Sequence, residues 1–282
     1  MSVTNGWGQW ENTIDWGKGK TTATNDWGKI YDSSASGDTT LASASTPFTN
    51  TYSVNLDGFN DYVTMGDVLD TSNTGASALS ISAWYKTSDS GTQIIASKWS
   101  NSSPYEGYGL YLTSVSKMTF YIGSFSGNAY ILKRSNQTNS FTDGNWHHVV
   151  ATYDGSRAAS GVKIYVDGSE ITLNTVKDVA PSGVDNVEEF LIGMRGKASS
   201  YALPFDGNID EVAYFTSELS ASDVTTIYNS GVPNDISSLS PTGWWRMGDN
   251  DSGTGTTVTD QGSGSNNGTL TNSPTFQTNV PT

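Results

Sequence analysis

The residues able to do covalent chemistry are few, and their spacing limits what they can do. His147 and His148 are the only histidines. Neighbours on a strand point to opposite faces, so this pair does not chelate one ion and reads as structural. Glu188 and Glu189 are adjacent in the same way, and Ile209-Asp-Glu-Val212 places one carboxylate on each face of a strand. Gly17-Lys-Gly-Lys-Thr21 ends like a phosphate-binding loop, but Ile14 stands where its first glycine is needed. It also lacks a strand–loop–helix setting, so it is set aside. No Gly-x-Ser-x-Gly nucleophile elbow is present. The chain has 0 cysteines, which excludes disulfides, thiolate metal sites and cysteine nucleophiles. Asp249-Asn-Asp-Ser-Gly253 opens like a calcium loop but lacks the remainder, and reads as a solvated turn.

What remains is the chemistry of stacking and hydrogen bonding. Sugar sites pair an aromatic platform with amide and carboxylate groups. The segment Lys98-Trp-Ser-Asn-Ser-Ser-Pro-Tyr-Glu-Gly-Tyr108 supplies Trp99, Tyr105 and Tyr108 for that role. The competing reading is that these rings pack on a rim or at a subunit contact. Trp7-Gly8, Trp16-Gly17 and Trp27-Gly28 form a second aromatic set in residues 1–45, with few aliphatic residues between them. That segment shows no strand or helix period and cannot bury a core of its own. Trp7, Trp16 and Trp27 therefore either pack back on the neighbouring domain or anchor the chain to a partner protein.

The elements that must carry these residues are strands. The 282-residue chain is 35% hydrophobic and only 15% charged, with 30 glycines and 11% aromatics, a composition of many turns and short strands. Leu79, Ile81, Ala83 and Tyr85 alternate with Ser80, Ser82 and Trp84, which predicts a half-buried strand. Tyr108–Leu112 and Met118–Ile122 flank a short turn and predict a hairpin. Further strands are predicted at 52–56, 94–96, 146–153, 162–166, 190–194, 209–215 and 244–249. Asp-Gly recurs at 57, 143, 154, 167 and 206, between apolar runs, as antiparallel turn chemistry requires. One short helix is predicted from Ser220, a Ser-x-x-Asp cap, to Gly231, with Val224, Ile227 and Tyr228 on its apolar face. Nothing splits 46–282, which reads as one domain behind an N-terminal arm of residues 1–45.

Charge narrows the partners. Fourteen Lys and Arg against 28 Asp and Glu give a net charge of −14. A chain so acidic does not neutralise phosphates, so nucleic acid is not an expected partner. No apolar run approaches the roughly 20 residues of a membrane helix. The N-terminus has neither a basic patch nor an apolar run, so no classical secretory signal is expected.

Several motifs then match a known family in order. Leu56-Asp-Gly-Phe-Asn-Asp-Tyr-Val63, Leu79-Ser-Ile-Ser-Ala-Trp-Tyr85, Trp146-His-His-Val-Val-Ala-Thr-Tyr-Asp-Gly155, Val162-Lys-Ile-Tyr-Val-Asp-Gly168, Leu191-Ile-Gly193 and Phe205-Asp-Gly-Asn-Ile-Asp-Glu-Val212 resemble the laminin-G-like, concanavalin A-like domain in its bacterial and viral form. The resemblance covers roughly residues 50–232. It implies an all-β jelly-roll sandwich of two antiparallel sheets, here with one short helix and the extended N-terminal arm. A Trp-x-x-x-x-Asp…Gly-Thr-x-x-x-Asp motif that opens many relatives runs here from Trp245 to Asp260, which implies a permuted order.

The resemblance also implies a calcium ion. The candidate ligands are Asp57 and Asp61 in one stretch and Asp206 and Asp210 in another, with the family placing the two stretches on adjacent strands. Calcium takes about six to eight oxygens, and carboxylates mixed with carbonyls supply them. The alternative is that the Asp-Gly pairs are turns and Asp210 binds backbone amides. Glycosidases of this fold carry a Glu-x-Asp-x-x-Glu strand, which is absent. Residues 1–45, with Asp15-Trp-Gly-Lys-Gly19 and Asp26-Trp-Gly-Lys-Ile-Tyr31, resemble N-terminal segments of structural and tail-associated proteins of tailed bacteriophages.

The resulting expectation is a non-enzymatic virion protein, anchored by its arm and displaying the jelly roll for particle decoration or host-surface glycan attachment. Its expected partners are other virion proteins, host-surface glycans and further copies of itself. The alternatives are a bacterial carbohydrate-binding or adhesion module and, behind it, a glycoside hydrolase.

Overall fold

The computed structural model describes residues 12–14, 21–24, 30–32, 48–136, 141–196 and 203–282. The chain divides into two compact units, Met1–Phe48 and Thr49–Thr282. In the first, β1 (Asn12–Ile14), β2 (Thr21–Thr24) and β3 (Ile30–Asp32) pair as an antiparallel meander. The sequence pattern had shown no strand period there. Backbone pairing forms these short strands without the alternation that a buried face imposes. Trp7, Trp16 and Trp27 lie outside the described residues.

The second unit continues with β4 (Ser53–Asp57), β5 (Tyr62–Thr64), β6 (Leu79–Lys86), β7 (Gln93–Trp99), β8 (Glu106–Leu112), β9 (Met118–Ser124) and β10 (Ala129–Ser135). There follow β11 (Trp146–Tyr153), β12 (Val162–Val166), β13 (Ser169–Glu170), β14 (Leu173–Asp178), β15 (Leu191–Ile192) and β16 (Asp206–Phe215). Helix α1 (Ala221–Tyr228) precedes β17 (Gly243–Trp245), β18 (Thr257–Val258), β19 (Gly268–Thr271) and β20 (Thr275–Gln277). One sheet runs β14-β10-β9-β8-β7-β15-β5-β19-β18. The other runs β13-β12-β11-β6-β16-β4-β20, with β17 also on β16. All pairings in these orders are antiparallel, as the jelly-roll expectation requires.

Inward side chains of the two sheets meet in one core that includes Leu56, Tyr85, Tyr108, Phe120, Phe190, Phe205, Tyr214 and Trp245. Period two is kept in β6, where Leu79, Ile81, Ala83 and Tyr85 enter this core. Its other face, expected to be solvated, is buried too. Ser80 Oγ donates to the Ser217 carbonyl at 2.7 Å and accepts from Leu219 N at 2.9 Å. Trp84 stacks on Tyr228 of α1 at 5.8 Å. The chain between β16 and α1 thus covers that face.

The helix forms where its cap predicts. Ser220 and Asp223 make a reciprocal capping box, and Val224 and Ile227 are buried. It ends earlier than expected, at Tyr228, because Asn229 turns left-handed at φ 44°. The strand expected at 244–249 is also shorter. It stops at Trp245, and Met247 and Gly248 follow with φ 40° and 113°.

The C-terminal segment completes both sheets. β19 pairs with β5 and β20 with β4. The motif at 245–260 closes as one unit: Trp245 bridges Asp260, whose carboxylate accepts from the backbone N–H of Trp244, Gly262 and Asn266, each at 2.7 Å. Among the described residues, no helix is long and apolar enough to cross a membrane.

Candidate functional site

Strands β7 to β10 carry apolar side chains on both faces, and this makes the site. On β8, Tyr108, Leu110 and Leu112 point into the core, while on β9 Met118, Phe120 and Ile122 do so. The opposite face gathers a separate cluster of Ile94, Trp99, Tyr111, Tyr121 and Leu132. Trp99 stacks on Tyr121 with centroids 4.4 Å apart and planes at 19°. The ring lies along Gly109 of the neighbouring strand. A Cβ there would sit 3.3 Å from Trp99 Cε3 and 3.1 Å from Ser97 Cβ, so glycine opens the bed for the indole.

Around this floor stands a polar and aromatic rim. The cleft is about 430 Å³, floored by Trp99, Tyr111, Tyr121 and Leu132 and rimmed by Asn101, Tyr105, Phe125 and Arg195. Two donors hold the rim loop to the floor. Trp99 Nε1 donates to the Tyr105 carbonyl at 3.1 Å, and the Tyr121 hydroxyl donates to the same oxygen at 2.8 Å. Arg195 Nη2 donates to Asn101 Oδ1 at 2.8 Å, and its guanidinium lies 4.7 Å from the Trp99 ring centre and 6.0 Å from that of Tyr105. Burial pulls the Arg195 guanidinium below its ordinary pKa. It pushes the Tyr111 phenol up, against the nearby Arg134 and Arg195. Phe125, 52% exposed, stacks on Tyr130 at 5.1 Å and offers the open apolar surface of the rim.

Of the three expected sugar-binding rings, the structure brings Trp99 and Tyr105 together in this cleft. Tyr108 is a correction. β8 already begins at Glu106, so Tyr108 falls on the inner face, fully buried, with its hydroxyl on the Leu69 carbonyl at 2.7 Å. Trp99 is also less open than a platform, at 7% exposure. Tyr111, Tyr121, Phe125 and Arg195 were missed, although Tyr111 and Tyr121 sit at odd positions between inward-facing even ones.

The expected calcium ligands do not meet as a set of four. Asp57 and Asp206 face one another across the β4–β16 ladder. Asp57 Oδ1 accepts from the backbone N–H of Phe59, Asn60 and Asp61 at 2.9, 3.1 and 3.3 Å, which is a turn role. Burial pushes Asp57 up, but those N–H groups hold it below its ordinary range. Asp61 is buried, with Oδ1 lacking a hydrogen-bond partner, and burial together with the Asp57 charge raises its pKa. Asp210 lies further along β16 and belongs to other partners: Asn50 Nδ2 donates to it at 2.9 Å and Glu211 N at 2.8 Å. Among the described residues, no three His, Cys, Asp or Glu side chains gather to hold a metal ion.

Asp210 and Glu211 also depart from the expected one-per-face alternation. The ladder of β16 on β6 shifts between Asp210 and Ala213, and Glu211 adopts φ 45°. This bulge buries both carboxylates. Glu211 accepts from Trp244 Nε1 at 2.6 Å and Arg246 Nε at 2.9 Å, and Arg246 also binds Asp249 at 2.9 Å and the Thr49 carbonyl. Burial raises Glu211 to about 7 against the pull of Arg246, and raises Asp210 well above its ordinary value, with the Glu211 charge adding to it. Asp251 accepts from Thr259, but Asp249 is not the expected solvated turn residue: its side chain is buried, pairs with Arg246 and accepts from the distant Thr51 N and Tyr52 N, which ties the stretch to the start of β4.

The histidines are structural. His147 binds Asp167 at 2.8 Å and Asp143 at 3.2 Å. His148 is buried, with Nε2 2.9 Å from Ser82 Oγ and its ring beside Trp84 and Tyr228.

Residues 56–225 match the laminin G 3 family model, described as the Concanavalin A-like lectin/glucanases superfamily, within the span the motifs indicated. Among solved structures, the chain is similar to a Bacteroides ovatus protein provisionally named for carbohydrate binding. The two share 19% identity over 93% of this chain and 69% of that one, at TM-score 0.59. A Limulus polyphemus SAP-like pentraxin (13% identity, 65% and 84% covered, TM-score 0.48) and a Ruminococcus gnavus sialidase module, CBM40 (16%, 62% and 96%, TM-score 0.47), are more distant and add nothing to the argument. The first supports the fold alone. Comparison with curated proteins finds no match.

His148 gives a pH signature. Burial lowers its pKa to about 3, against an ordinary 6.5. The unfolded chain therefore takes up a proton that the folded chain refuses, so this group's contribution is whole above about pH 6.5 and declines as pH falls toward about 3. Glu211 acts oppositely, its raised pKa favouring the folded state at low pH and losing that support as pH rises through about 7. Urea midpoints of wild type and His148→Gln, compared from pH 7 to pH 4, are expected to converge as pH falls, by up to about 1.4 kcal/mol per pH unit. A constant difference would place His148 outside this account.

Proposed function

The chain belongs to the concanavalin A-like lectin/glucanases superfamily, laminin G type, and on that premise we propose that residues 49–282 are a carbohydrate-binding module whose ligand sits in the Trp99–Arg195 cleft. The carrying observation is the cleft itself, where aromatic edges, an amide and a guanidinium converge on an otherwise apolar floor outside the core. The module reads as non-catalytic. Glycoside hydrolysis uses a pair of carboxyl groups flanking the bond, and none lines this cleft among the described residues. The buried acids Asp210 and Glu211 are engaged elsewhere.

The cleft is tested at its exposed rim. Tyr105→Ala with Phe125→Ala removes two rings without opening the core, since stacking on each contributes ~0.5–1.5 kcal/mol. Calorimetric or array binding should weaken about tenfold with an unchanged melting temperature. Unchanged glycan binding would place the ligand elsewhere.

The setting we propose is a virion surface, with residues 1–45 anchoring the chain and copies of it displayed together. The phage-like motifs of that segment support this reading, and so does an acidic chain with a net charge of −14. A bacterial adhesion module is the rival. Trp16→Ala with Trp27→Ala in the full chain should abolish incorporation into particles and leave glycan binding intact. Normal incorporation contradicts the anchor.

Calcium enters the proposal only at the Asp57–Asp61 corner, where a cation would satisfy the orphaned Asp61 Oδ1. The melting temperature should rise with calcium over chelator, and Asp61→Asn should remove the rise. Identical melting in both solutions sets calcium aside.

A further inference from the structure

Charge is distributed against the trend of the chain at the cleft. The protein carries −14 overall, with 14 cations among 282 residues. Yet the only formal charge lining the cleft, among the described residues, is the guanidinium of Arg195. A second guanidinium acts on Tyr111 of the cleft floor. Arg134, on β10, is within hydrogen-bonding reach of the Tyr111 hydroxyl, and the Arg195 charge acts on the same phenol. Arg134 Nε is buried without a hydrogen-bond partner among the described residues. Lys177 of β14 pairs in register with Leu132 of the cleft floor and holds its ammonium 5.6 Å from the Tyr130 ring centre. Glu106 is felt at Tyr121 but does not line the cleft.

Three cations thus border one apolar cleft on an acidic molecule. A neutral sugar gains only hydrogen bonds from them, whereas an anionic one also gains the charge that offsets the repelling field of the whole chain. Arginine is the cation suited to the task. Its planar fork donates two parallel hydrogen bonds to a carboxylate while its face stacks on an aromatic ring, and Arg195 already lies over Trp99. Half-burial strengthens such a pair relative to open water.

We propose that the cleft selects a carboxylate-bearing sugar, a uronic- or sialic-acid class of glycan, with Arg195 receiving the carboxylate and Arg134 adding field from the β10 side. This rests on the reading of the cleft as a carbohydrate site. Arg195 is a specificity-determining residue in this account, and the aromatic rim supplies affinity common to all sugars.

The test uses the full chain on a panel of matched glycans. Each acidic oligosaccharide is paired with its neutral counterpart, made by carboxyl reduction or by removal of the acidic sugar, and sulfated neutral oligosaccharides form a third arm. The acidic members should bind at least tenfold more tightly than their partners. Arg195→Gln should weaken the acidic members by about 10- to 100-fold and leave the neutral ones within about twofold, which erases the preference. Arg195→Lys should restore part of it, as a point charge without the fork. If Arg195→Gln does not fold, salt dependence in the wild type carries the same reading: acidic-glycan affinity falls from low to high salt while neutral affinity stays level.

Equal binding of acidic and neutral partners overturns the inference and leaves the carbohydrate-binding reading standing. So does a loss in Arg195→Gln that is the same for both. Binding of the sulfated arm without the carboxylated one overturns the carboxylate assignment. Failure of every glycan to bind the wild type removes the underlying function and the inference with it.

Discussion

One backbone oxygen ties the site together. The carbonyl of Tyr105 accepts from the Trp99 indole and the Tyr121 hydroxyl, one donor on β7 and one on β9. Both rings are nearly buried, and each brings a polar hydrogen that must find a partner there. The Tyr105 carbonyl, with the Gly123 carbonyl 2.9 Å from the same Tyr121 hydroxyl, holds the Trp99–Tyr121 stack and pins the loop that carries Tyr105. The shape of the cleft follows from this. Gly109 leaves room for the indole, Arg195 settles against it, and Asn101 receives the guanidinium. The rim is then preorganised, so a ligand does not have to order it on binding.

The same sheet also has to close a core, and the two demands meet in its alternation. Side chains at even positions of β8 and β9 fill the sandwich, while Tyr111 and Tyr121 at odd positions build the outer cluster. The C-terminal strands serve the core alone. β19 and β20 extend one sheet each, and the Asp260 carboxylate gathers three backbone N–H groups to lock the turn that leads to them. On β16 a bulge diverts Glu211 into the contact with Trp244 and Arg246, so this acid binds the C-terminal segment to the sheet, while Asp210 accepts from Asn50. A buried ion pair of this kind contributes little net stability, but leaving one partner alone is costly.

Much of this was legible in the residues. Period two in 79–85, the hairpin of β8 and β9 and the Ser220 cap follow from local rules and form as the pattern indicates, but the outer face of β6 is buried as well and Asp206-Gly207 opens β16 instead of making a turn. The site was half legible. A loop rich in Trp, Tyr and Asn pointed to Trp99 and Tyr105, but Tyr108 already belongs to β8, where it shares the inward parity of Leu110 and Leu112 and so lies in the core instead of on the rim. The meeting of Tyr111, Tyr121 and Arg195 depends on β7, β8, β9 and the chain after β15 lying side by side, which no local window contains. The acids failed for a different reason. Alternation predicts one carboxylate per face at 210 and 211, and only a bulge at φ 45° undoes it. Asp57 and Asp206 do face each other across the ladder that the family motifs implied, but backbone amides occupy one Asp57 oxygen first.

The most direct measurement is a proton–nitrogen spectrum of the full chain as a pool of carboxylated oligosaccharides is added. Each of the 9 tryptophans reports through its indole N–H. The account predicts a saturable shift of the Trp99 indole and the amides around Tyr105, while the Trp245 indole, bonded to the Asn266 carbonyl in the core, stays in place. A still Trp99 with shifts clustered elsewhere on the sandwich would contradict it.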